Sequence, residues 1–115
     1  MESALRVYAV DDDRIILDIL ASILEDFCQL ETFESGAACL ERIATQKPDL
    51  VLLDVSMPEI DGYALCRHLK EDWDTQDIPV YFVSGHDDIE TRLICYEAGG
   101  DDFIVKPFEP AELQR

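Results

Sequence analysis

The sequence predicts an α/β fold: a doubly wound, five-stranded parallel sheet with helices on both faces. Two observations carry that expectation. Short apolar runs alternate with stretches of helical period in the order βαβαβαβαβ, followed by a fragment of helix. Such alternation with short connections implies parallel strands joined by crossover helices. The most apolar run, Leu50-Val51-Leu52-Leu53, shows no polar alternation and reads as a central strand buried on both faces.

A chain of 115 residues with 48% hydrophobic residues is expected to form one domain, residues 1–115, with an ordinary core. No apolar stretch approaches the ~20 residues of a membrane span. The start, Met-Glu-Ser-Ala-Leu-Arg-Val, lacks the regions of a signal peptide, so the expected location is cytoplasmic. Cys28, Cys39, Cys66 and Cys95 are scattered without C-x-x-C spacing and read as reduced thiols rather than a metal site. Nine basic against 26 acidic residues give a net charge of −17, which argues against direct binding to nucleic acid or anionic membrane.

Leu5–Val10 reads as the first strand, ended by Asp11-Asp12-Asp13. Ile15, Ile16, Ile19, Leu20, Ile23, Leu24 and Phe27 then form two adjacent helical rows. Leu30–Phe33 is a short second strand, and Ser35 caps a helix using Ala37, Leu40, Ile43 and Ala44. After the third strand, Asp61 caps a helix carrying Leu65, Cys66 and Leu69. Ile78–Val83 is the fourth strand, and Asp87-x-x-Glu90 a capping box for a helix bearing Ile89, Leu93 and Tyr96. Ala98-Gly99-Gly100 breaks that helix, Phe103–Val105 is the fifth strand, and a final helix beginning at Glu109 is cut short.

In a parallel sheet the strand exits share one edge, where open α/β sheets place ligands. Here those exits deliver Asp11, Asp12 and Asp13, then Asp54, Ser84 and Lys106. An isolated Asp54 would read as a loop acid beyond a core strand; the upstream acids and the downstream Lys-Pro change that reading. Gathered carboxylates repel and call for a cation, and oxygen ligands of this kind suit Mg²⁺. Neither G-x-G-x-x-G nor a Walker lysine motif occurs, so a nucleotide pocket is not expected. The set instead suits an aspartyl phosphate, with Asp54 as nucleophile and Lys106 and Ser84 holding the phosphoryl group. Asp13 reads as a helix cap.

Val10-Asp11-Asp12-Asp13, Leu53-Asp54-Val55-Ser56-Met57-Pro58, Asp61-Gly62, Val83-Ser84-Gly85 and Val105-Lys106-Pro107-Phe108 together resemble the receiver domain of two-component response regulators. The resemblance spans almost the whole chain. It implies a flavodoxin-like fold, strand order 2-1-3-4-5, and a phosphorylation-activated switch that takes its phosphoryl group from a sensor histidine kinase or histidine phosphotransfer protein. Such a switch catalyses only its own phosphoryl transfer and autodephosphorylation, and it controls an output domain or protein partner. By position the resemblance makes Asp54 the phosphoacceptor. It makes Asp11, Asp12, Asp54 and the Ser56 backbone carbonyl the Mg²⁺ site, Ser84 and Phe103 the switch pair, and Lys106 the phosphate contact. It further implies a cis bond before Pro107, and makes Ser56 and His86 the residues that tune dephosphorylation. Phe103 stands where tyrosine is often found, so its switch role would rest on packing alone. The alternative is an aspartyl-phosphate phosphohydrolase of haloacid-dehalogenase type, but Asp54-Val55-Ser56 lacks the second Asp of the D-x-D that such enzymes carry. A purely structural binding module is the third reading. The short final helix is expected to leave apolar surface bare and to favour a weak homodimer.

Overall fold

A computed structural model describes residues 5–24, 26–54, 62–84 and 89–105. The elements are β1 (Arg6–Val10), α1 (Arg14–Leu24), β2 (Gln29–Phe33), α2 (Gly36–Thr45), β3 (Leu50–Asp54), α3 (Gly62–Glu71), β4 (Val80–Ser84), α4 (Ile89–Glu97) and β5 (Asp102–Val105). All four strand pairings are parallel and the order is β2-β1-β3-β4-β5. That is the expected doubly wound, flavodoxin-like topology. The expected short helix from Glu109 lies outside the described residues.

The apolar run of β3 lies at the centre, with Val51, Leu52 and Leu53 buried. Side chains alternate across a strand, so neighbouring residues feed opposite layers. Val51 and Leu53 join Tyr8, Val10, Val80 and Phe82 beneath α2, α3 and α4. Leu52 joins Val7, Ala9, Val83 and Ile104 against α1. Tyr8 can be fully buried because its hydroxyl donates to the Gln46 carbonyl at 2.6 Å. Cys39, Cys66 and Cys95 are buried and Cys28 is half-buried, all as free thiols. Desolvation raises the Cys39 thiol to about 12 and Cys66 to about 11, so both stay protonated at neutral pH.

The α1 stripe is met in part, with Leu20 and Leu24 buried and Ile16 and Ile23 packed beside them, and the α4 face differs more. In α1 the core row is Leu17, Leu20 and Leu24, whereas Ile15 and Ile19 face solvent, as does Phe27 beyond the helix. The segment Arg14-Ile15-Ile16-Leu17 is apolar on several sides, so period alone does not choose the inward face. In α4 the expected Leu93 and Tyr96 are exposed, and the small residues Cys95 and Ala98 are buried. Small residues let the helix end lie close to the sheet. At Gly100 an added Cβ would stand 2.6 Å from the Phe82 ring, so only glycine fits. Gly99, with φ +99°, supplies the left-handed turn that ends α4. Strand β4 begins at Val80 rather than Ile78, because Pro79 has no N–H for the ladder; its carbonyl still accepts from Val51 N–H at 3.0 Å.

The amino-terminal edge of the sheet is held by two matching carboxylates. Asp49, just before β3, accepts from the Arg6 N–H at 2.8 Å and returns its own N–H to the Arg6 carbonyl at 2.7 Å. Asp101, just before β5, does the same to Val80, at 2.8 and 2.7 Å. Lys70 then reaches from α3 to the Asp101 carboxylate at 2.9 Å and the Ile78 carbonyl at 2.8 Å.

Candidate functional site

At the opposite edge, each strand stops where its apolar residues run out. Val10 pairs with Leu53, so the next residues in line are Asp11 and Asp54. Asp11 extends the β1–β2 ladder by donating its N–H to the Phe33 carbonyl at 3.1 Å, and its side chain is buried. Asp54 is the last residue of β3 and also buried, while Asp12 is exposed. Oxygen atoms from Asp11, Asp12 and Asp54 all lie within 4.8 Å of one another.

Asp13 behaves as the expected helix cap. Its carboxylate accepts from the Ile15 N–H at 2.9 Å, and its carbonyl accepts from the Leu17 N–H at 3.2 Å. It donates its own N–H to Asp11 Oδ1 at 2.9 Å, which fixes the Asp11 side chain. One acid of the run therefore starts α1, and the other two are left to meet Asp54.

Two carboxylates at such a separation repel by about 3 kcal/mol at an effective dielectric near 20. The arrangement is favourable only with positive charge supplied. Three hard oxygen donors in one cluster match a Mg²⁺ ion completed by waters and a phosphate oxygen, and they do not match the thiol and imidazole sets of structural zinc.

Ser84 ends β4 one residue beyond Val83, the register partner of Asp54, and pairs with Val105 of β5. Phe103 lies within β5 opposite Phe82. These two are placed by backbone register alone. Ser56, His86, Lys106 and Pro107 fall outside the described residues. Among the described residues no helix is long and apolar enough to cross a membrane.

The model of the response regulator receiver domain matches residues 7–115. The chain belongs to the response regulator receiver family. This match decides between the switch and the dehalogenase-type hydrolase in favour of the switch: a receiver domain is a phosphorylation-activated signalling module, not a turnover enzyme. The response regulator MprA of Mycobacterium leprae is 36% identical over 110 residues, covering 95% of this chain and 47% of that protein. The chain thus spans about half the length of the curated relatives it matches. Among solved structures, a putative response regulator from Chloroflexus aurantiacus superposes with a TM-score of 0.92 at 32% identity, over 96% of this chain and 92% of that one. The BeF3-activated DrrB receiver domain gives a TM-score of 0.87 at 32% identity, over 96% and 92%.

The residues that sequence reasoning missed are Asp49, Asp101 and Lys70, which secure the edge opposite the acid cluster. An Asp just before a strand carries no periodic signal, so nothing in the sequence distinguishes it from a solvated loop acid.

Proposed function

We propose that residues 1–115 act as one receiver domain whose phosphoacceptor is Asp54, with Asp11 and Asp12 completing a Mg²⁺ site. The observation that carries this reading is the convergence of the three carboxylates at the carboxyl edge of the sheet. A phosphoryl donor, a histidine kinase or phosphotransfer protein, presents a phosphohistidine. A carboxylate oxygen of Asp54 attacks phosphorus, the P–O bond forms, and the P–N bond breaks with its electron pair going to the imidazole. A bound Mg²⁺ supplies charge neutralisation for the transferring group.

Asp54 is suited to attack because it is buried at a strand end with restricted freedom, and Asp11 is oriented by the Asp13 N–H. Lys106, one residue past β5, is the phosphate contact in this reading, and the Ser56 carbonyl a further metal ligand. Ser84 and Phe103 form the switch: the Ser84 hydroxyl moves toward the phosphoryl oxygen and the Phe103 ring turns into the space left. Ser56 and His86 govern access of water to the aspartyl phosphate. An output domain or partner reads the change, and the setting is cytoplasmic. Pairing of two copies is a further expectation of this reading.

Incubation with acetyl phosphate tests the assignment by intact mass. One phosphoryl group is expected on the wild type with Mg²⁺, none in EDTA and none on Asp54→Asn. Labelling of Asp54→Asn equal to wild type would refute the acceptor assignment.

A further inference from the structure

The helices of a doubly wound sheet run against the strands, so α2 and α3 end at the edge opposite the acid cluster. Between those two ends lies a cavity of about 340 Å³. Leu40, Ile43 and Ala44 of α2 and Leu69 of α3 give it an apolar part; Lys47, His68, Asp72, Asp74 and Thr75 also line it. The volume lies at the lower end of the range for ligand pockets, room for one or two side chains.

Trp73, the single tryptophan of the chain and 89% exposed, lies in the turn between Asp72 and Asp74, which both line the cavity. It sits on a firmly built turn. Asp72 Oδ1 accepts from the Asp74 N–H at 2.9 Å, and the Asp72 carbonyl accepts from the N–H groups of Thr75 and Gln76 at 3.1 and 2.8 Å. The buried Thr75 hydroxyl donates to the Leu69 carbonyl at 2.6 Å. Holding a large aromatic ring in water on an ordered turn, next to an apolar hollow, is the arrangement of an interface anchor.

The charge around it selects the occupant. The connection runs Glu71-Asp72-Trp73-Asp74-Thr75-Gln76-Asp77 with all four acids exposed, and Asp72 and Asp74 line the cavity together with Lys47 and His68. None of these charged side chains enters an ion pair among the described residues. We propose that this surface docks a protein segment that places an apolar side chain in the cavity and an Arg or Lys over Trp73 and its flanking acids. The cation would gain both the carboxylates and the indole face. A second copy is a poor fit at this surface, because a two-fold contact here would set the same acids against one another. Docking here leaves the carboxyl edge open to a phosphodonor.

Trp73 emission reports on the site directly, since no other tryptophan contributes. The probes are the peptides acetyl-Arg-Leu-Leu-Arg-amide, its Glu-Leu-Leu-Glu counterpart and its Arg-Ser-Ser-Arg counterpart, added to the full chain. The first is expected to produce a saturable blue shift and to move the amide signals of Leu40, Ile43, Ala44, Leu69 and Thr75. The other two are expected to bind at least about tenfold more weakly. Ala44→Arg, on an exposed helix position, and Asp74→Lys should each weaken the first peptide by about tenfold while melting like wild type. Equal binding of the Arg-Leu and Arg-Ser peptides would overturn the proposal by showing charge attraction alone. So would signal changes centred on Asp11, Asp12 and Asp54. Concentration-dependent burial of Trp73 without peptide would assign the surface to a second copy instead. A blue-shifted emission in the free monomer would mean that the indole fills its own cavity.

Discussion

The two edges of the sheet use aspartate in opposite ways. At the amino-terminal edge Asp49 and Asp101 each accept a strand's first N–H, and Lys70 adds a positive charge to Asp101. At the carboxyl edge Asp11, Asp12 and Asp54 crowd against one another. The first pair lowers the energy of the fold as it stands. In the second cluster the carboxylates repel one another at close range. The same residue type is therefore a clamp at one edge and, on the proposed reading, a receptor at the other. What separates the two is that the clamp carboxylates each meet a strand's first N–H, whereas the three at the other edge also meet one another.

The largest expected effect is the loss of a clamp. Asp101→Ala leaves the Val80 N–H without its acceptor and Lys70 without its carboxylate. Hydrogen bonds to charged groups contribute ~1.5–3 kcal/mol, so a loss of about 2–3 kcal/mol is expected even with Asp101 half exposed. Urea unfolding followed by circular dichroism measures it; a change below about 0.5 kcal/mol would place the clamp among inert surface contacts.

A second test leaves every carboxylate in place and strains the turn that positions Asp101. Gly100→Ala drives a methyl group into the Phe82 ring and to 3.0 Å from the Cys95 carbonyl. Overpacking of this kind costs about 1–3 kcal/mol. The same unfolding experiment, with the amide signals of Val80 and Asp101 as local markers, separates a strained turn from a general loss.

The smallest effect concerns an acid that belongs to neither set. Glu31 on β2 has its pKa lowered, first by its hydrogen bonds from Arg42 at 2.8 and 3.2 Å, with charge attraction from Arg42 and Arg6 adding to this against partial desolvation. A carboxyl whose folded pKa is depressed adds stability above its unfolded value of 4.5, and that stability is lost as pH falls through the folded value. Glu31→Gln should therefore cost at most about 1 kcal/mol at pH 7, since both partners are about one-third exposed. The gap between the two proteins should close as pH drops below 4.5. A gap that persists in acid would mean packing, not charge.

The sequence makes the carboxyl edge legible and hides the other. Leu50–Leu53 announces a central strand, and the acids that follow apolar runs mark where ligands go. Ser35 signals its helix start correctly, its hydroxyl accepting from the Ala38 N–H at 3.2 Å. The inward faces of α1 and α4 are less legible. Leu17 is hidden among neighbouring isoleucines, and Cys95 and Ala98 are chosen for smallness rather than hydrophobicity. Asp49 and Asp101 leave no trace in any pattern, because their role exists only once β1 lies beside β3 and β4 beside β5.

The contrast between the edges is tested most directly by thermal melts of wild type, Asp12→Asn and Asp101→Ala, each in EDTA and in saturating Mg²⁺. In EDTA, Asp12→Asn should melt above wild type, because one repelling charge is gone. Added Mg²⁺ should raise wild type past Asp12→Asn, whereas Asp101→Ala should melt below wild type by the same margin in both conditions. If Asp12→Asn melts below wild type in EDTA, or gains as much from Mg²⁺ as wild type does, the three acids are not a strained cation receptor and the distinction between the edges fails.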